Sequence, residues 1–165
     1  ISIERGNFIW KAGIGGNLVA SPAVANGLVV VSSRGEAVIA LDARNGEERW
    51  RYSVSGRSSV AISQGIVLAG ADDGGVHAIS LETGQALWLF PTGSEVLSSP
   101  VIVGTTAYVA SGLNLYAVDL TIGAGIWRFS TTDVIEASPA IANEHIYLGS
   151  RDGFLYAIGG SGAED

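Results

Sequence analysis

Cysteine and methionine are both absent from the 165 residues, and Lys11 is the only lysine. Without cysteine there is no disulfide, no thiol nucleophile and no thiolate zinc site. Nine basic side chains, the rest of them scattered arginines, face 16 acidic ones, for a net charge of −7. A nucleic-acid surface needs clustered cations, so no nucleic-acid partner is expected. Charged residues reach only 15%, below the usual quarter, yet no apolar run approaches the ~18 residues of a membrane span. Proline is scarce, with four residues, while glycine is abundant at 23, which implies many tight turns. An apolar content of 47% excludes a disordered chain and suits one domain with a sizeable core. No signal peptide opens the sequence, and Ile1 in place of Met reads as a processed or excised segment.

What the chain does have is an internal repeat. Trp10, Trp50, Trp88 and Trp127 are spaced 40, 38 and 39 residues apart. Ser21-Pro22, Ser59-Val60, Ser99-Pro100 and Ser138-Pro139 keep the same period, and so do the segments opening at Val38, Val76, Leu115 and Leu155. Three markers in register define four repeats of about 39 residues. Each reads as four short strands, A to D: one after the Ser-Pro position, a β-branched one, the Val38-type segment, and one that carries the Trp. Asn26-Gly27, Asn45-Gly46, Asp73-Gly74, Thr83-Gly84 and Asp152-Gly153 supply the positive φ of the reversals between them. Four-stranded units at this period predict a β-propeller.

The Trp-bearing segments run Ala40-Leu41-Asp42-Ala43-Arg44-Asn45-Gly46 to Trp50, Ala78-Ile79-Ser80-Leu81-Glu82-Thr83-Gly84 to Trp88, and Ala117-Val118-Asp119-Leu120-Thr121-Ile122-Gly123 to Trp127. This pattern resembles the tryptophan-docking motif of the PQQ-like (quinoprotein alcohol dehydrogenase-like) β-propeller repeat, over essentially the whole chain. In physical terms, Asp42 and Asp119 can close Asx turns, Gly46, Gly84 and Gly123 complete the reversal, and the four Trp residues act as mortar between blades. An indole buries ~150–250 Å², or roughly 4–6 kcal/mol as an upper bound.

The chain starts and stops at one phase of the repeat, between strands C and D. Residues 1–12 therefore read as a closing strand D for the last blade, and 159–165 as a flexible tail. The repeats fall at about 13–52, 53–90, 91–129 and 130–158. Three rings fit: one chain closed as four blades, two chains forming an eight-bladed homodimeric ring, or a slice of a larger ring. Closure removes an exposed sheet edge.

Enzymes of the resembled family are expected to hold PQQ over the axis with an adjacent Cys–Cys disulfide, a stacking Trp and a Ca²⁺ on Glu, Asn and Asp. This chain has no cysteine and half the blades, so neither PQQ nor Ca²⁺ is expected and no catalytic residue is assigned. His77 replaces the Ile and Tyr of its strand column and reads as packing; His145 reads as a rim residue. Gly13-Ile14-Gly15-Gly16 lacks the Lys-Ser/Thr and helix of a phosphate cradle and reads as a linker. The variable positions gather in the B–C loops (Arg34, Glu36, Asp72, Asp73, Arg151, Asp152) and the D–A loops (Arg57, Glu95, Asp133, Glu136), which share one face of a propeller. Variation on a constant scaffold is how grafted sites look. A protein or peptide partner is one reading of this face; solvated hairpin tips, or a cation on Asp72, Asp73 or Asp152, are the others. The resemblance implies a non-catalytic binding scaffold, in the setting of outer-membrane protein assembly or of extracytoplasmic kinase sensors, at a periplasmic or cell-surface location. A relative of PQQ-dependent dehydrogenases is the competing class.

Overall fold

The computed structural model describes residues 6–159 and contains four antiparallel sheets with no helix among them. Blade one holds β1 (Ala23–Ala25), β2 (Leu28–Ser32), β3 (Val38–Asp42) and β4 (Glu48–Tyr52). Blade two holds β5 (Ala61–Ser63), β6 (Ile66–Gly70), β7 (Gly75–Ser80) and β8 (Ala86–Pro91). Blade three holds β9 (Val101–Val103), β10 (Thr106–Ser111), β11 (Asn114–Asp119) and β12 (Gly125–Ser130). Blade four holds β13 (Ala140–Ala142), β14 (His145–Gly149) and β15 (Leu155–Gly159). Each sheet runs in sequence order, a meander in which every strand pairs with the next. The protein is an all-β propeller of the expected blade type.

Local chemistry explains the reversals. Asn26-Gly27 turns between β1 and β2 with φ of 48° and 76°, the left-handed pair of a two-residue hairpin. Gln64-Gly65 and Asn143-Glu144 adopt the same pair without an Asn-Gly dipeptide in either, so strand pairing on both sides imposes it. Between β3 and β4, Arg44 N donates to Asp42 Oδ1 at 2.9 Å and Gly46 N to Asp42 O at 2.8 Å. Asp119 repeats this with Thr121 N at 2.8 Å, and Ser80 substitutes its hydroxyl, accepting from Thr83 N. A register shift follows in each C–D pair, between Ala40 and Leu41, Ala78 and Ile79, and Ala117 and Val118. Such a bulge re-aims the neighbouring side chain, here the Trp of strand D.

Packing lies between blades. Val30, Val38, Trp50, Val67 and Ile79 fill the first seam; Leu68, Val76, Val96, Val109 and Leu120 the second; Leu115, Ile135, Ile146 and Leu148 the third. Ser21 N donates to Ser59 Oγ (3.0 Å), Ser59 N to Ser99 Oγ (3.0 Å), and Ser99 N to Ser138 Oγ (2.9 Å). The Ser-Pro marker of the sequence is thus a hydrogen-bonded ladder joining one blade to the next.

Of the closing segment expected at residues 1–12, residues 1–5 lie outside the described residues, and the rest pairs with no strand of blade four. Among the described residues the fourth sheet has three strands, and no hydrogen bond joins blade four to blade one or to residues 6–12. Residues 7–12 form no strand; Trp10 and Ala12, with Ile14 beyond them, lie instead on the outer face of blade one, against Val31, Ile39 and Leu41. A four-bladed ring needs a turn of about 90° per blade. Among the described residues the outer edge of β15 has no strand beside it, and blade four is not joined to blade one. Leu155 shows the result: it is 75% exposed, whereas Val38, Val76 and Leu115, at the same place in the other blades, are fully buried.

Candidate functional site

The indoles hold one blade to the next. Trp10 Nε1 donates to Ala43 O at 3.0 Å, Trp50 Nε1 to Leu81 O at 2.8 Å and Trp88 Nε1 to Leu120 O at 3.0 Å. The glycines face them directly: a Cβ placed on Gly46, Gly84 or Gly123 would come within 2.6–2.7 Å of Trp10, Trp50 or Trp88 respectively. Their φ angles are 76°, 72° and 70°, so these positions combine a left-handed backbone with contact to an aromatic ring. Trp127 differs. It is 39% exposed and leans on Tyr108, with ring centroids 5.9 Å apart; the corresponding turn of the fourth repeat lies beyond Gly159, outside the described residues.

The D–A and B–C loops meet on one face and are stitched by backbone bonds. Asp72 N donates to Ser55 O, Val96 N to Ala71 O, Ile135 N to Gly112 O and Arg151 N to Val134 O, all at 2.8–3.0 Å. Arg34 and Asn17 pair as an isolated bridge, and Gly15 and Gly16 of the linker pack beside Glu36. Two of the three arginines in this cluster hold acidic partners. Arg57 Nε lies 3.4 Å from Asp72 Oδ1, in ionic contact though out of line for a hydrogen bond, and its terminal nitrogen is 3.6 Å from Glu95. Arg151 grips Glu136 with two nitrogens, at 2.9 and 3.0 Å. Asp73 Oδ2 is 2.9 Å from His77 Nε2, whose Nδ1 is 3.0 Å from the Tyr52 hydroxyl, so both ring nitrogens of this buried histidine are occupied. His145 uses Nδ1 on Asn143 O at the start of β14.

Asp152 accepts from the Tyr156 hydroxyl at 2.7 Å, from Phe154 N and from Thr132. Burial pushes its carboxyl upward, but those donors outweigh it and hold the group at about 2. Asp133 Oδ1 accepts from Val134 N at 2.7 Å. Asp72 and Asp73, neighbours on one loop, turn to different partners, Ser55 and His77, Asp152 lies on the B–C loop of blade four, and among the described residues no group of three His, Cys, Asp or Glu side chains is placed to hold a metal ion.

What the sequence reading missed on this face is apolar. Leu18, Val19, Leu113 and Phe154, all on the D–A and B–C loops, are 45–66% exposed. Their signal was weak, because a lone apolar residue in a loop has no periodicity. Two further concavities lie elsewhere. A groove of about 960 Å³ runs along the third seam beside Tyr108, Trp127, Phe129, Ile141, Ile146 and Ile158. Another, of about 730 Å³, opens at the first seam near Asp42, whose shielded carboxylate is bound by Arg44 and Arg49. Hydrogen bonds from Arg44 and then Arg49 hold that carboxyl well below the usual range.

Comparison with known proteins places this geometry. The outer membrane protein assembly factor BamB of Burkholderia pseudomallei is 34% identical over 118 residues, covering 60% of this chain and 31% of that protein. The chain thus spans about a third of the length of that curated relative. The crystal structure of BamB from Moraxella catarrhalis matches with a TM-score of 0.83 and 21% identity, over 93% of this chain and 50% of that one. A quinohemoprotein alcohol dehydrogenase from Pseudomonas putida HK5 matches with a TM-score of 0.77 and 21% identity, over 87% of this chain and 30% of that one. At such identities the two structures show a shared fold alone. A family model described as outer membrane protein assembly factor BamB matches residues 1–161, and the chain belongs to that family.

Proposed function

We propose that the chain is a non-catalytic binding module that presents its loop face to a polypeptide partner in the assembly of outer membrane proteins, at a periplasmic or cell-surface location. The observation that carries this reading is the exposure of Leu18, Val19, Leu113 and Phe154 on loops where Arg57 and Arg151 already hold acidic partners. Apolar side chains on stitched loops bury area on docking without first losing much conformational freedom. Self-paired charges around them add orientation at little desolvation cost. The family supports the setting, since its relatives carry the name of an assembly factor. PQQ and Ca²⁺ have no part in this reading, and no titratable cluster is assigned to chemistry.

The test is site-specific photo-crosslinking in bacterial envelopes. A photoreactive residue at Leu113 or Phe154 should capture outer-membrane assembly components, and one at Leu87 on strand D of blade two should not. Equal capture from all three positions, or none from the loops, would refute the assignment of this face.

A further inference from the structure

We infer that Asn26 is a site of spontaneous deamidation and isoaspartate formation, while Asn45, which opens the same Asn-Gly dipeptide, is protected by the fold. This stands apart from the reading of the loop face, because both asparagines lie in turns at the other ends of the strands.

The chemistry is internal to the dipeptide. The amide nitrogen of the following residue loses its proton and attacks Cγ of the asparagine. The new C–N bond closes a five-membered succinimide, the Cγ–Nδ2 bond breaks, and ammonia leaves with a proton. Water then opens the ring. Its attack at Cγ leaves an ordinary aspartate; its attack at the main-chain carbonyl leaves isoaspartate, with the chain routed through Cβ. No other reactant is consumed. Two conditions set the rate within a fold. The following residue must leave its nitrogen open to approach, which glycine does best because it has no Cβ. The hydrogen on that nitrogen must also be free to leave.

Only Asn26 and Asn45 are followed by glycine, and the fold treats them differently. Gly46 N donates to Asp42 O at 2.8 Å, and the Asn45 side-chain oxygen accepts from Glu47 N at 3.1 Å. Gly46 is also wedged against Trp10, 2.6 Å from its would-be Cβ. Ring closure at Asn45 therefore breaks both hydrogen bonds and turns a peptide that an indole holds down. At Asn26, by contrast, Gly27 N has no acceptor among the described residues. Both residues are exposed, and nothing stands within 4 Å of a Cβ placed on Gly27. Asn143 is the internal control. With Glu144 it takes φ of 50° and 63°, the same left-handed pair as the 48° and 76° of Asn26 and Gly27, but Glu144 brings a Cβ to the nitrogen.

Asn26 lines the groove of the first seam together with Asp42, Arg44 and Arg49. An aspartate at position 26 adds a carboxylate to a wall that carries two guanidiniums, and Asp-Gly suits the same hairpin turn. Isoaspartate instead inserts an extra main-chain carbon into a two-residue loop. Gly27 O of that loop accepts from Ala43 N at 2.9 Å, so the strain reaches the C–D reversal that rests on it.

The test is incubation of the folded wild-type chain in mildly alkaline buffer, with tryptic peptides weighed over time. Cleavage after Lys11, Arg34, Arg44, Arg49, Arg128 and Arg151 puts Asn26, Asn45 and Asn143 in separate peptides. The peptide holding Asn26 should gain the mass of an amide-to-acid exchange on the order of tenfold faster than that holding Asn45, the rate equivalent of one hydrogen bond that must first break. The peptide holding Asn143 should stay unchanged over that time. Labelling with an isoaspartyl methyltransferase should mark the Asn26 peptide alone. In urea, where the fold is lost, Asn26 and Asn45 should convert at like rates. Conversion of Asn45 as fast as Asn26 in the folded chain, a difference between them that persists in urea, or equal labelling at Asn143 would each overturn the inference.

Discussion

Gly84 lies directly beneath the indole of Trp50: a Cβ at Gly84 would stand 2.7 Å from Trp50 Cγ, inside any permitted contact. The turn of one blade and the strand D side chain of the blade before it thus share a space that admits only hydrogen at that position. Gly84→Ala should destabilise the protein by about 2–4 kcal/mol, combining a left-handed backbone with overpacking. Gly27 is the control. Its φ of 76° is close to the 72° of Gly84, but nothing stands within 4 Å of its would-be Cβ, so Gly27→Ala should cost only about 1–2 kcal/mol. Urea denaturation of the two variants measures the difference. Trp50→Ala, which opens a cavity in the first seam and strands Leu81 O, should cost about 3–5 kcal/mol.

The serine ladder predicts unequal effects from equivalent substitutions. Ser59→Ala leaves Ser21 N without its acceptor at an exposed site, where water replaces it. Ser99→Ala leaves Ser59 N at a partly buried one. The second should cost about 1–2 kcal/mol and the first about 0.5 kcal/mol or less. Denaturation midpoints at equal protein concentration rank the two.

Acid should weaken the fourth blade through Asp152. Its folded carboxyl is held at about 2, below the ordinary value of 3.8. A depressed carboxyl contributes stability that is complete above the unfolded value and lost as pH falls through the folded one. Thermal midpoints should therefore drop between about pH 4 and pH 2, and Asp152→Asn should lower the midpoint at pH 7 while flattening that acid limb.

Added PQQ and Ca²⁺ should leave the melting temperature unchanged. Binding to the native state alone would raise it by mass action, so differential scanning fluorimetry with both present checks the proposed independence from quinone chemistry. A dose-dependent upward shift would favour the dehydrogenase relationship instead.

The architecture was legible in the sequence because its determinants are local and repeated. Trp50, Trp88 and their Asx-type turns recur every 39 or so residues, and Asn26-Gly27 names its own turn type. Turns without that dipeptide, such as Asn143-Glu144, were legible only through their place in the repeat. Which blade the N-terminal segment completes was not legible, because phase along the chain is not position in space. Residues 7–12 do carry the pattern of a strand D, but Trp10 ties them to Ala43 of blade one, and the curvature that would bring β15 to them depends on side-chain volumes summed over three seams. The candidate loops were legible as a face, since Arg57, Asp72 and Glu95 do converge. That Arg57 holds both acids, and that Leu113 and Phe154 stand exposed on the same loops, depends on distances no spacing rule supplies. The Ser-Pro period was visible, but its purpose required seeing Ser59 between Ser21 and Ser99.

Since Trp50 is rooted in one sheet and lodged on the turn of the next, the natural building block of this molecule straddles two sheets. It runs from a strand D through the three following strands to the turn that precedes the next Trp. A gene that gained or lost one such block, cut within a C–D hairpin, would lengthen or shorten the curve by one step while every surviving indole kept its seat. Growth of this kind requires no compensating change elsewhere, so chains of differing blade number can descend from one another by whole-unit copying.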